Sequence, residues 1–508
     1  MLKSSALPAK LCLVLLGAIF LGSPYFIHAA HPKYSYIGDE WGFFGLANAV
    51  TGAWFFKNPL SGGVFINNPM LTQMIQAFFM MILGSDVWAW KAASLIPICF
   101  SVLLIFIWTR LWFDELTAVA AAFVLAASSY LWSFSLVGYT HQFGIAHILL
   151  LHVLIGKLVK GGRLRYSLWG PPLVGIVAGL SFFEYGGLVF PLILLPYAIF
   201  ITPRRGDTTL RLPFLAVIIV GILTAIPGLL NATYRDNVFG LASFSNHPLT
   251  ISDRIGNGVG YLLSFMWMNK NSHYAYGPYV DAISRIGVIL GTLMCLFFVA
   301  RRTQSSEGRD RKFGAFIILT STLLAAFAYG TTSPYPELPR TRGIFMVHHF
   351  AILAGVGFGA ITKLLGLRAR AIFFALLFSS IFMLNQIRRH QFFTLHGITP
   401  AACVIWKVQQ ARTAGSTASE VYIHLADSDV LAEHRSSLQH TVRLLTILLP
   451  VYIDQPVKPI EVARGASPQE LGELTIDLSQ IFRNGCRDLA IEELPEYAQG
   501  RSDTFTKW

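Results

Sequence analysis

The sequence predicts an all-α polytopic membrane protein with about eleven spanning helices and a structured first outer loop, followed by a small soluble α/β domain. Three observations predict it. The 508 residues are 54% hydrophobic and 13% charged, whereas soluble domains run near ~25% charged. Nearly uncharged runs recur at 11–30, 92–109, 116–134, 214–230, 283–300, 313–329, 344–365 and 371–384, with lengths near the ~20 residues that carry a helix across hydrocarbon. Beyond residue 387 this composition stops.

Taken in order, the first span is 11–30 and a long outer loop, 31–85, follows it. In that loop Asp39 starts a helix through about Phe56, rich in Trp41, Phe43, Phe44, Trp54 and Phe55, as suits the aromatic-rich interface. Pro69 opens a second helix over 70–83, apolar but short for a span and therefore expected at the interface. Spans at 86–109, 115–134 and 139–159 come next. The stretch 168–201 is too long for one helix and is interrupted at Glu184-Tyr185-Gly186-Gly187, so it reads as two short spans. The last five are 212–230, 282–300, 313–330, 344–365 and 371–387. In the tail, 388–508, a strand is expected at 421–425, a buried strand or helix at 441–453 and a helix start at 468–474. The chain thus divides into a membrane domain, 1–387, and a soluble domain, 388–508.

Charge orients the layout. The net charge of +12 belongs to the membrane part: residues 1–387 hold 27 Lys and Arg against 13 Asp and Glu, and residues 388–508 hold 12 against 14. No basic face of the kind that binds nucleic acid is present. Segments 1–10, 110–115, 157–167, 203–211, 301–312 and 363–370 carry 18 basic residues, and the longer segments between them carry nine. Basic loops stay cytoplasmic, which puts the N-terminus inside and loop 31–85 outside. Arg388 and Arg389 run against this pattern on the outer side. The expected site is an inner (plasma) membrane, with the functional face and the tail on its outer side.

Of five cysteines, Cys12, Cys99 and Cys295 fall inside apolar runs and read as small hydrophobes. Cys403 and Cys486 lie in the tail and are free to pair in an oxidising compartment. Lys3 and Lys10 before an apolar stretch resemble a secretory signal, but its length and the His28-Ala29-Ala30 ending favour an uncleaved first helix.

Polar residues in apolar surroundings are the candidates for chemistry. Gly38-Asp39-Glu40 follows the first span directly; two carboxylates there are costly unless solvated, paired or used, and an acidic helix start is the other use for them. Glu184 is the sole charge between 168 and 201, available to a site or to helix packing. His141 lies near the outer surface, as a structural histidine or a substrate contact. Arg340 and Arg342 are outer-side arginines, suited to bidentate phosphate binding or to snorkelling toward headgroups.

The order of these features carries a resemblance. Gly38-Asp39-Glu40, then Asn67-Asn68-Pro69-Met70-Leu71, then Trp88-Ala89-Trp90-Lys91-Ala92-Ala93-Ser94-Leu95-Ile96-Pro97 resembles the GT-C superfamily of membrane glycosyltransferases over roughly 11–390. It looks closest to the branch of protein O-mannosyltransferases and lipid A aminoarabinose transferases. The resemblance implies transfer of a sugar from a polyprenyl-phosphate donor to an acceptor hydroxyl on a glycan, lipid or protein, at the non-cytoplasmic face. Asp39 would then be the general base, Glu40 its supporting neighbour, and Arg340 and Arg342 the donor-phosphate ligands. Asn67, Tyr139, His141 and Glu184 would line the substrate pocket.

The chain departs from the family at three places. Asn67-Asn68 stands where relatives carry a histidine or an acidic-basic pair, Tyr139-Thr140-His141-Gln142 where they show Arg-Pro-Asp, and Glu184-Tyr185-Gly186 where they show Lys-Gly. No metal ligands follow from these motifs, and a divalent metal stays open. A transporter or flippase of lipid-linked saccharides is the alternative function. It would share the apolar helices, but the internal repeats usual in transporters are absent from the sequence.

Overall fold

The computed structural model describes residues 6–29, 70–84, 87–136, 138, 141–161, 163–184, 194–199, 208–230, 250–267, 280–302, 305–332, 344–395, 403–405, 407–408, 411, 422–424 and 475–477. The helices are α1 (Ala6–Ile27), α2 (Met70–Leu83), α3 (Val87–Trp112), α4 (Glu115–Ala127), α5 (Ser129–Leu136), α6 (His141–Val159), α7 (Arg163–Tyr166), α8 (Gly170–Leu180), α9 (Thr208–Leu230), α10 (Ile251–Trp267), α11 (Ala282–Ala300), α12 (Ser306–Thr332), α13 (Ile344–Lys363) and α14 (Leu367–Leu395). Among the described residues eight helices are long and apolar enough to span a membrane; α4 and α5, bent by 43°, make a ninth if counted as one span, and two shorter apolar helices accompany them. This is an integral, multi-pass membrane protein.

Helix α13 is the hub. Of its membrane-spanning window 89% is buried, against 11% for α14 and 17% for α1, so α13 is sheathed by protein while α1 and α14 face the hydrocarbon. Small residues let neighbours close on it. A Cβ at Gly291 (α11) would collide with the Leu353 carbonyl, one at Gly357 (α13) with the Gly287 carbonyl, and one at Gly359 with Thr117 of α4. In lipid, where tails are as apolar as leucine, such close packing supplies the association energy. Helices α8 and α9 repeat the device, since a Cβ at Gly175 would come 2.8 Å from the Val217 carbonyl.

The loop charges meet at one end. Lys10 pairs with Glu115, Lys363 with Asp114 at 2.6 Å and Lys160 with Asp310 at 2.8 Å. These pairs link five segments, 1–10, 110–115, 157–167, 301–312 and 363–370, that the charge count assigns to one side. Asp114 also caps α4, accepting from the Thr117 amide at 2.9 Å. Burial pushes its carboxyl up, but Lys363 and the Thr117 bonds outweigh that and hold it below the usual carboxylate value. At the opposite end the Trp88 indole donates to the Phe26 carbonyl at 3.1 Å. There Tyr25 stacks on Trp132 at 5.9 Å, fastening α1 to α5.

The structure corrects the sequence reading in three places. The expected single span 115–134 breaks at Ser128, because Asn385 of α14 accepts from the Ser129 amide at 3.1 Å and so caps α5 from another helix. Helix α10 was not expected; Gly256, Gly258 and Gly260 dilute its apolar signal. Gly258 has a packing reason, since a Cβ there would lie 2.6 Å from the Phe327 ring of α12. The last span runs on to Leu395, which places Arg388 and Arg389 within it rather than after it. In the tail, strands Tyr422–His424 (β1) and Thr475–Asp477 (β2) pair in parallel. That agrees with the expected strand at 421–425; the elements expected at 441–453 and 468–474 lie outside the described residues. Cys403 is disulfide-bonded, and Cys12, Cys99 and Cys295 are free.

Candidate active site

Helix α2 is apolar except for one stripe. Thr72, Gln73 and Gln76 are all at most 1% exposed, and at ~100° per residue they share one face. That face turns inward at the end of the bundle opposite the paired loop charges. The Gln76 amide donates to Ser94 Oγ of α3 at 3.0 Å. The Thr72 hydroxyl donates to Glu184 Oε2. Glu184 follows the 3-10 turn Ser181–Phe183 that ends α8 and is itself 1% exposed. Its other oxygen lies 3.9 Å from His147 Nδ1, too long for a hydrogen bond. His147 is oriented by the bond its Nε2–H donates to the Val177 carbonyl at 2.7 Å. Lys91, one turn before Ser94 on α3, is fully buried.

A second group lies around α6 and α13. His141 stacks on Phe345 at 5.4 Å and meets the edge of Phe134 at 5.5 Å. Gly138, at φ +75°, lets the chain turn into α6 against the ring of Trp90, which a Cβ would strike. His348 and His349 of α13 are buried, and His349 Nδ1–H donates to the Phe345 carbonyl at 3.2 Å. Deeper in α6, His152 Nδ1 is 3.0 Å from the Tyr197 hydroxyl, which also accepts from the Trp108 indole at 3.2 Å. Among the described residues no group of three or more His, Cys, Asp or Glu is arranged to hold a metal ion.

The family model for dolichyl-phosphate-mannose-protein mannosyltransferase matches residues 67–230, which run from the residues before α2 to the end of α9. No curated protein matches by sequence. Among solved structures, ArnT from Cupriavidus metallidurans bound to undecaprenyl phosphate aligns at a TM-score of 0.56 and 12% identity, over 98% of this chain and 97% of that one. The chain has the GT-C glycosyltransferase fold. The oligosaccharyltransferase of Archaeoglobus fulgidus shares it at a TM-score of 0.53 and 13% identity, with 88% of this chain spanning 64% of that longer one.

Within this GT-C frame the candidate residues separate. Asp39, Glu40, Asn67, Tyr139, Arg340 and Arg342 lie outside the described residues. Glu184 and His141 are both buried, but the structure does not bring them together. Glu184 faces His147, and His141 lies six residues earlier on α6, ~120° away around the helix, between Phe134 and Phe345. Sequence reasoning missed Thr72, Gln73, Gln76 and His147, and quoted Lys91 only within the Trp88–Pro97 motif, without a role. The readable signal was the 72/73/76 spacing of polar residues on an otherwise apolar helix.

Proposed function

We propose that the protein is a membrane glycosyltransferase that moves a sugar from a polyprenyl-phosphate donor to an acceptor hydroxyl on the non-cytoplasmic face. The observation that carries this reading is the near full-length GT-C fold, shared with an ArnT structure that holds undecaprenyl phosphate. The buried Glu184–Thr72 pair supports it from within the chain, since an intramembrane carboxylate marks a functional site by default.

In this reading Asp39 removes the acceptor hydroxyl proton as the oxygen attacks the anomeric carbon, and Glu40 orients it. The sugar–phosphate bond breaks, and the polyprenyl phosphate leaves as an anion that needs no proton, only neutralising cations. Arg340 and Arg342 supply that charge, with the buried Lys91 as a third candidate. The disulfide at Cys403 supports placing the tail in an oxidising, outer compartment, and the pairing of the basic loops at the other end supports the same orientation. The sugar and the acceptor, whether glycan, lipid or protein, are left to experiment.

The test is turnover by the purified full chain in detergent, with undecaprenyl-phosphate monosaccharides and a mixed acceptor fraction. Release of undecaprenyl phosphate that depends on acceptor supports the transferase. Movement of intact glycolipid across a proteoliposome membrane without release would establish the flippase instead.

A further inference from the structure

We propose that the inward face of α2, with Glu184, is a subsite for the hydroxyl groups of the donor's sugar ring, with Gln73 as its specificity-determining residue. The proposal rests on the lipid-linked transferase reading above.

The observation is an excess of buried, unused hydrogen-bonding capacity in one place. Neither the amide nitrogen nor the oxygen of Gln73 has a hydrogen-bond partner, and Gln76 Oε1 has none. Glu184 takes one close side-chain donor, the Thr72 hydroxyl, leaving Oε1 with only an imidazole at 3.9 Å. Buried polar groups are nearly always satisfied, and an unmade buried bond costs more than an apolar replacement of the same shape. A leucine or methionine at position 73 would pack as well on this helix without that cost. Gln73 therefore costs stability where it stands, as expected of a group that meets its partner only when a ligand arrives.

The kind of unmet group identifies the ligand. Two acceptor atoms, Gln73 Oε1 and Gln76 Oε1, stand open beside the Gln73 amide NH2, and the Glu184 carboxylate adds acceptor capacity next to them. A phosphate offers only acceptors and does not fit this set. A glycosyl ring offers several hydroxyls, each able to donate to an amide or carboxylate oxygen while accepting from the Gln73 amide. The frame is preorganised: Thr72 holds Glu184, Ser94 holds Gln76, and the Val177 carbonyl holds His147.

The experiment measures binding by the full chain of bare undecaprenyl phosphate and of its mannosyl, glucosyl, galactosyl and arabinosyl derivatives. The parent should bind at least one glycosylated lipid about tenfold or more tighter than the bare lipid, the gain from one or two hydrogen bonds to a buried polar site. Gln73→Leu should abolish that ratio, leave the affinity for bare undecaprenyl phosphate unchanged and hold or raise the melting temperature. Glu184→Gln should shrink the ratio in the same direction. If Gln73→Leu keeps the ratio, or no glycosylated lipid outbinds the bare one, the subsite is wrong while the transferase reading stands. If the parent binds no undecaprenyl phosphate at all, the lipid-donor reading falls, and the subsite with it.

Discussion

Thr72 and Glu184, 112 residues apart in sequence, meet inside the bundle, where the threonine hydroxyl donates to the buried carboxylate. This bond ties the short helix α2 to the end of α8. Thr72→Val keeps the shape and removes the donor, leaving Glu184 with no close side-chain partner. A loss of about 1–3 kcal/mol is expected, the desolvation penalty of a buried polar group left unpaired. Thermal unfolding in detergent measures it, and Thr72→Val combined with Glu184→Gln should lose less than the two single changes added. Additive losses would show that the two side chains are not coupled.

Gly138 carries a φ of +75° beside the Trp90 ring. Gly138→Ala combines left-handed strain of ~1–2 kcal/mol with overpacking of ~1–3 kcal/mol. The melting temperature should fall markedly, and Trp90→Phe in the same chain should restore part of it by clearing the ring. A neutral Gly138→Ala would mean that the turn into α6 is built differently.

Asp114 gives stability a pH dependence at the basic end. Its folded carboxyl is held below the ordinary value, raised by burial but lowered further by Lys363 and Thr117. A depressed carboxyl contributes stability that is complete above the unfolded value, near ~3.9, and is lost as pH falls through that value toward the folded one. The advantage of the parent over Lys363→Met should therefore be constant above about pH 5 and shrink below it. Unfolding midpoints between pH 3 and 7 test this; an advantage that grows on acidification contradicts it.

How far the sequence was readable depends on the range of the interactions. Helix bounds follow local composition, so Met70–Leu83 and Ala282–Ala300 were legible from Pro69 and from the apolar run after Asp281. The break at Ser128 was not, because Asn385, 256 residues away, caps the helix that follows it. Helix α10 hid behind its glycines. At the site, Glu184 stood out as a lone charge, whereas Thr72 and Gln76 are uncharged and owe their meaning to Glu184 and to Ser94 of α3, and Gln73 owes its own to burial without a partner. The separation of His141 from Glu184 is a matter of helical phase on α6, which the spacing to His147 makes visible only once Glu184 is known to face His147.

Arg340 and Arg342 are proposed to hold the donor phosphate. Removing either should weaken donor binding by ~1.5–3 kcal/mol, the scale of hydrogen bonds to charged groups, or roughly ten- to a hundredfold in Kd. Acceptor binding should change little. Titration of Arg340→Ala and Arg342→Ala with undecaprenyl phosphate measures this, and unchanged dissociation constants in both would remove them from the site.

Asp39 as general base is the central claim, and the rate of sugar transfer by Asp39→Asn tests it most directly. Asparagine caps a helix nearly as well as aspartate, so the variant should fold with the parent's melting temperature. Transfer from a polyprenyl-phosphate sugar pool should nonetheless fall about a hundred- to ten-thousand-fold, the contribution of a positioned base, while Glu40→Gln falls less. Full activity in Asp39→Asn, at matched stability, would contradict the account and leave Asp39 a helix cap.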